Sequence, residues 1–393
     1  MTPVPPVQTP TSASKPAILL GVDVLVRDGS EALSGKRLGL VTNATGRTQA
    51  GQSTIDALNG HAEMRLVALF SPEHGIRGEA DAGQSVDSSQ DQKTGLPIYS
   101  LYGTTTRPTD AMLNGIDALV YDIQDVGARP YTYISTLLEV MRAAAAHRLP
   151  LVILDRPDPI GGDHADGNVL DTRFASFVGP APIAMRYGMT VGELGQLFNA
   201  ELGVGADVSV VNVEGWQRSM WFDATGLEWV NPSPNLRSLS AAAVYPGMVL
   251  FEGTNISEGR GTERPFEWLG APWLDAAAWA DALNASGANS ARFTPSDQVP
   301  DTSSAKYPGT LCHGLSIEVI DRHQLRPMDL AIHMLAALHA TQLRFTPATF
   351  DGLAGTDRVR TALEAGTPAA EIVAAWQPEL EAFNTTRQHH LRY

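Results

Sequence analysis

The stretch Leu66–Gly78, LVALFSPEHGIRG, joins an unbroken apolar run to a knot of titratable groups. Leu66-Val67-Ala68-Leu69-Phe70 lacks the alternation of a half-solvated strand and reads as one buried on both faces, the habit of parallel sheets. The run stops at Ser71-Pro72. Glu73, His74 and Arg77 follow among the turn formers Pro72, Gly75 and Gly78, with Glu79 one step on. In an open parallel sheet the loops beyond the carboxyl ends of the strands line the ligand crevice. Titratable groups on such a loop mark a candidate site.

Outward from this strand, short apolar runs alternate with helical patterns from Lys36 to about Val213, which predicts α/β structure with a mainly parallel sheet. Strands are expected at Arg37–Thr42, Leu66–Phe70, Pro97–Leu101, Ala118–Ile123, Leu151–Leu154 and Val208–Val213. Ser53 and Asp56 have capping-box spacing for a short helix, and Thr190 with Glu193 caps another. A longer helix over Tyr133–His147 would bury Ile134, Leu137, Leu138 and Met141 on one face. Beyond Ser240 the pattern is less regular. Leu315–Ile320 alternates like a half-buried strand, and Pro327–Ala340 and Pro368–Phe383 read as helices. The expected division is a Pro/Thr/Ser-rich leader over residues 1–16, an α/β domain over 17–240 and a smaller α+β domain over 241–393.

A chain of 393 residues, 43% hydrophobic and 18% charged, has enough apolar content for a sizeable core. The net charge of −15 argues against a general nucleic-acid binder, because no broad basic footprint is available. Cationic residues are nearly all arginine; the lysines are Lys15, Lys36, Lys93 and Lys306. A single cysteine, Cys312, excludes an intramolecular disulfide and reads as a small buried hydrophobe. The start lacks a signal peptide's basic and apolar regions, and no apolar stretch is long enough to insert in a membrane. By sequence alone that reads as cytoplasmic.

Four polar clusters follow apolar runs. They are Glu73-His74 with Arg77; Asp122 to Arg129, with Gln124 and Asp125, continuing to Tyr131 and Tyr133; Asp155-Arg156 with Asp158; and Glu252 to Thr262, with Asn255, Glu258 and Arg260. Carboxylates, amides, arginines and tyrosines suit a polyhydroxylated, partly anionic ligand. Plainer readings stand beside this one. Asp155-Arg156 could be a salt bridge closing a strand, Asp122 and Asp125 could cap the next helix, and His74 could be structural. No GxGxxG, Walker loop, HExxH or GxSxG occurs, and the ten histidines do not fall at metal-ligand spacings. Neither cofactor nor metal is expected.

Five long motifs in order, SPEHGIRG (71–78), DIQDVGARPYTY (122–133), LDRPDP (154–159), NPSPNL (231–236) and FEGTNISEGRGTERPF (251–266), resemble the exo-β-N-acetylmuramidase (NamZ-like) family. The resemblance implies a Rossmann-like catalytic domain with helices on both faces of the sheet, an auxiliary C-terminal domain and a cleft between them. It implies release of N-acetylmuramic acid from the non-reducing end of peptidoglycan-derived glycans, a cell-envelope substrate that points to export. Glycoside hydrolysis needs an acid for the leaving oxygen and a second group to attack or to activate water. Glu73 is then the acid, with His74, Asp122 and Tyr131 beside it. Arg77, Gln124, Arg129, Tyr133, Asp155, Arg156, Asn235, Glu252, Asn255, Glu258 and Arg260 hold substrate. Asp122, Asp125, Glu252 and Glu258 are candidates for the second group, and the substrate's own acetamide is another. Two departures stand out: Asp158 where asparagine is expected, and Pro130 where an aromatic residue is expected. The rival readings are a binding-only protein on the same fold and a metal-assisted hydrolase using Asp122, Asp125 and Asp155.

Overall fold

The computed structural model describes residues 18–76, 89–285 and 290–393. The expected leader, Arg77 and Glu79 lie outside them. The strands run in chain order as β1 (Arg37–Thr42), β2 (Arg65–Ser71), β3 (Ser89–Gln90), β4 (Pro97–Ser100), β5 (Ala118–Asp122) and β6 (Leu151–Leu154). Then come β7 (Asp166–Val169), β8 (Ala184–Arg186), β9 (Val208–Val211), β10 (Trp268–Ala271), β11 (Ala291–Gln298) and β12 (Cys312–Val319). The central sheet has the order β3-β4-β2-β1-β5-β6-β9. All neighbours in it are parallel except β3 with β4. A smaller antiparallel sheet, β10-β12-β11, lies in the C-terminal part.

Both faces of the central sheet are covered. Leu119, Tyr121 and Ile153 point into one apolar core, while Leu38, Leu40, Val120, Val152 and Leu154 point into another. That explains the unbroken apolar runs, since a strand with a core on each side has no solvent face to alternate toward. On the first face lie the helices Tyr133–His147, burying Ile134, Leu137, Leu138 and Met141, and Val191–Glu201, opened by a full Thr190/Glu193 capping box. The opposite core takes Val22 and Leu25 of a helix at Gly21–Asp28, together with Ile55 and Leu58 of the helix at Thr54–Asn59.

Two expectations change in the C-terminal part. The helix expected over Pro368–Phe383 is two, Ala369–Ala375 and Gln377–Gln388. The break has a physical cause: Pro378 has no N–H to give, and its ring would meet the carbonyl of Ala374 in a continuous helix. The helix from Pro327 ends at Ala336 instead of Ala340. At Ser240 the backbone is helical, inside Leu239–Met248. Cys312 is fully buried in β12, where burial pushes its thiol up to about 11. Among the described residues no helix is long and apolar enough to cross a membrane.

Candidate active site

β2 delivers its carboxyl end into a turn where Glu73 and His74 are both buried. His74 has φ 70°, a left-handed backbone that a residue with a side chain seldom adopts. Phe266 has φ 65°. Both line one cleft of about 360 Å³, whose walls also include Tyr131, Tyr245, Glu252 and Arg260. Such strain costs about 1–3 kcal/mol per residue and collects at functional sites.

The Thr132 hydroxyl donates to Oε2 of Glu73, fixing the orientation of the carboxyl. From His74 a chain of rings crosses the cleft. The His74 ring lies 6.4 Å from both Tyr131 and Tyr133. Tyr131 meets Tyr133 edge-on at 4.9 Å and Tyr245 at 5.7 Å, and Tyr245 meets Phe266 at 4.9 Å. The contacts among Tyr131, Tyr133, Tyr245 and Phe266 are edge-to-face, an arrangement aromatic rings favour. The Tyr131 hydroxyl is buried beside Ser233 and Tyr133 and finds no partner at standard hydrogen-bond geometry. Burial pushes it well above the usual tyrosine range, so at neutral pH it remains an O–H donor.

The same cleft carries a charge-balanced cluster. Arg260 pairs with Glu252 (2.8 Å) and Glu258 (3.0 Å), Lys306 pairs with Glu258 (2.9 Å), and the Arg260 guanidinium stacks over Phe266 at 5.0 Å. Burial raises the Glu252 carboxyl above the usual range, opposed by Arg260. For Glu258 burial acts upward too, but Lys306 and Arg260 outweigh it and hold the carboxyl low. Among the described residues, the carboxylates lining the cleft are Glu73 and Glu252.

The structure thus brings together Glu73, His74, Tyr131, Asn235, Glu252 and Arg260 on one cleft, with Glu258 behind Arg260 and Tyr133 behind Tyr131. It places the remaining sequence candidates elsewhere. Asp122, at the end of β5, is fully buried and grips Arg156 through two hydrogen bonds of 2.6 and 2.8 Å, while Thr54 donates to its second oxygen. Neither Asp122 nor Arg156 borders the cleft; Arg156 and Gln124 border a different cavity. Asp155 accepts from Thr190 (2.7 Å), Gly192 N (2.8 Å) and the Tyr393 hydroxyl (2.6 Å), and burial nonetheless raises it to about 6. Asn255 is bound on both ends of its amide, to Gln342 O and Arg344 N. Arg129 has no carboxylate partner among the described residues. Its guanidinium donates to the carbonyls of Asn168 (3.0 Å), Ile183 (2.9 Å) and Ala354 (2.6 Å), and burial lowers it to about 9. It reaches Ala354 across Gly355, where a Cβ would lie 2.8 Å from Nη2. Among the described residues no group of three or more His, Cys, Asp or Glu is arranged to hold a metal.

Sequence reasoning missed Thr132, Ser233, Tyr245, Phe266 and Lys306. Thr132 was inside a quoted motif but overshadowed by its flanking tyrosines. Tyr245 sits in an Ala-rich helix and carries no signal beyond core packing. Lys306 did carry one: it is one of four lysines in a chain that otherwise uses arginine.

Two family models match the chain from residue 38 onward. The N-terminal domain model of exo-β-N-acetylmuramidase NamZ covers residues 38–240, and the C-terminal domain model covers 243–393. The peptidoglycan β-N-acetylmuramidase NamZ of Bacillus subtilis is 43% identical over 386 residues, spanning 97% of this chain and 93% of that protein. Two crystal structures of DUF1343 family proteins from Bacteroides fragilis are similar. One has a TM-score of 0.89 at 33% identity and the other 0.76 at 32%, each covering 96% of this chain and 99% of its own.

Proposed function

The chain belongs to the NamZ exo-β-N-acetylmuramidase family, and on that premise we propose that it is an exo-acting glycosidase releasing N-acetylmuramic acid from the non-reducing end of peptidoglycan fragments. The observation that carries the site assignment is the pair of carboxylates, Glu73 and Glu252, on the walls of one cleft. Glycosidases use such a pair around the scissile bond. Glu73, oriented by Thr132, protonates the leaving glycosidic oxygen as the bond from the anomeric carbon breaks. Glu252, held by Arg260, supplies the second carboxylate function at that carbon. His74 and Tyr131 shape the Glu73 wall, and the neutral Tyr131 hydroxyl is a donor to a ring substituent. Arg260 and Asn235 are the cleft groups suited to the lactyl carboxylate. Asp122 leaves the catalytic set, because both its oxygens are engaged by Arg156 and Thr54. Residues 17–240 are read as the catalytic domain, with 241–393 adding Glu252 and Arg260 to its cleft. A binding-only role is not favoured by the full-length match to a hydrolase.

Glu73→Gln tests the assignment. Loss of positioned proton transfer lowers turnover of a chromogenic muramide by at least about 10²-fold while substrate binding persists. Near-normal turnover would remove Glu73 from the chemistry.

A further inference from the structure

The rings that line the Glu73 cleft fall into two sets. His74, Tyr131, Tyr245 and Phe266 are buried, none more than 7% exposed. Tyr102 and Phe177 are only half-buried, and they border the same cleft. Their ring centroids are 5.9 Å apart with the planes at 47°, a contact that leaves surface on both rings uncovered. Open aromatic surface on a cleft wall is stabilised when the apolar face of a ligand covers it. The hydrolytic assignment leaves both residues without a task.

Both are tied to the frame that holds Glu73. Tyr102 follows β4, the neighbour of β2, and the Leu101 N–H donates to the Ser71 carbonyl at 2.8 Å, two residues before Glu73. The Phe177 carbonyl accepts from the Ser135 hydroxyl at 2.6 Å. Ser135 lies in the first turn of the helix Tyr133–His147, directly after Thr132, whose hydroxyl donates to Glu73. Acid, orienting threonine and the two half-buried rings therefore share one hydrogen-bonded frame. Arg260 belongs to a different segment, held by Glu252 and Glu258.

These attachments sort the parts of the substrate. With Glu73 as the acid, the oxygen it protonates joins the terminal sugar to the next one, so the leaving sugar lies on the Glu73 wall. The lactyl carboxylate, with any peptide extending from it, is drawn to Arg260. The cleft, about 360 Å³, is near the lower end of the roughly 300–1,000 Å³ typical of small-molecule sites, which suits one substituted sugar ring and leaves the next to the half-buried rings. A pyranose has an apolar C–H face to lay on an aromatic ring while its hydroxyls stay in water.

We propose that Tyr102 and Phe177 form the platform for the leaving sugar, an N-acetylhexosamine, and set the preference for a glycan over a lone muramide. The proposal rests on the exo-muramidase reading and extends it to the reducing side of the scissile bond.

The test is calorimetric titration of the Glu73→Gln protein with three probes: N-acetylmuramic acid, its β-linked disaccharide with N-acetylglucosamine, and muramyl dipeptide. The disaccharide binds more tightly than the monosaccharide. Tyr102→Ala and Phe177→Ala each weaken the disaccharide at least about fivefold and leave the other two probes within about twofold. Tyr102→Phe and Phe177→Tyr keep a ring and hold disaccharide binding within about twofold of the parent, which separates stacking from a general loss of structure. With Glu73 restored, kcat/KM on the disaccharide falls in the alanine variants while that on methyl muramide does not. Four results overturn the proposal: a disaccharide that binds no tighter than the monosaccharide, no loss in either alanine variant, equal loss for all three probes, or loss confined to muramyl dipeptide. Absence of turnover by the unsubstituted enzyme would sink the hydrolase reading alone, since the binding pattern is read without turnover.

Discussion

Replacing Arg156 with methionine removes the partner of a carboxylate that water does not reach. Asp122 is 0% exposed and Arg156 4%. The guanidinium gives Asp122 two charge-assisted hydrogen bonds, at 2.6 and 2.8 Å, and a third to the Arg47 carbonyl at 2.8 Å. Without it, Asp122 keeps among the described residues the Thr54 hydroxyl. Breaking such a pair strands a buried charge and costs about 3–5 kcal/mol. Unfolding entropy near 2.1 cal/mol/K per residue, taken over 393 residues, gives about 0.8 kcal/mol/K. The thermal midpoint therefore falls by about 4–6 °C. The double variant Asp122→Asn/Arg156→Met no longer strands a charge and recovers on the order of 1 kcal/mol of that loss. Calorimetric melts of the two single variants and the double variant, paired with muramide turnover at 25 °C, decide the matter. All three turn over within about tenfold of wild type if Asp122 is purely an anchor. Should Asp122→Asn melt like wild type while turnover drops more than about 10³-fold, the reasoning fails and Asp122 returns to the chemistry.

Three further outcomes are expected. Glu252→Gln lowers kcat by about 10²-fold or more while the protein stays folded at the assay temperature, Arg260 keeping Glu258, as measured by initial rates and calorimetry; an unchanged kcat would leave Glu73 without this partner. Burial raises the Asp158 carboxyl to about 7, so its folded value exceeds its unfolded one. The stability it contributes is full below about pH 4 and is lost as pH rises through about 7, by at most about 4 kcal/mol. Denaturant melts of Asp158→Asn against pH should therefore be flatter over that window, and a slope equal to wild type would contradict the assignment. Arg129→Lys, which cannot reach three carbonyls with one ammonium, should lose about 2–3 kcal/mol and speed hydrogen exchange near Ala354; wild-type exchange there would refute the bracing role.

The central strands were legible because two covered faces leave no alternation to confuse the reading, and Tyr133–His147 because its apolar stripe is long. β11 was not legible. It is an edge strand with exposed residues and Pro295, so its pattern resembles a loop. In the site, each polar cluster was visible as a cluster, but which of them meet was not. Three of them leave the same edge of the central sheet, the Glu252 cluster follows the helix Leu239–Met248, and only the winding of the chain sorts them. The β2 loop and the far end of the β5 loop reach one cleft, while the near end of the β5 loop and Arg156 reach another opening. Asp122 illustrates the limit. Its partner is 34 residues away, and nothing local distinguishes an anchored carboxylate from a reactive one.

Arg129 recognises main chain, not side chains. Its four acceptors, on Asn168, Ile183, Leu353 and Ala354, are all carbonyl oxygens, and the neighbouring requirement is for glycine at position 355, where φ is +67° and a Cβ would intrude. The side chains of Leu353 and Ala354 take no part in this brace; what constrains them is their packing in the core. The same property frees this one contact from side-chain matching, whereas Asp223 with Arg322, Asp155 with Tyr393 and Asn212 with Arg392 join the two parts through side chains. A chimera carrying the C-terminal half of a relative should keep the Arg129 brace with no matching substitutions there, while the partners of Asp155, Asn212 and Asp223 must come with it.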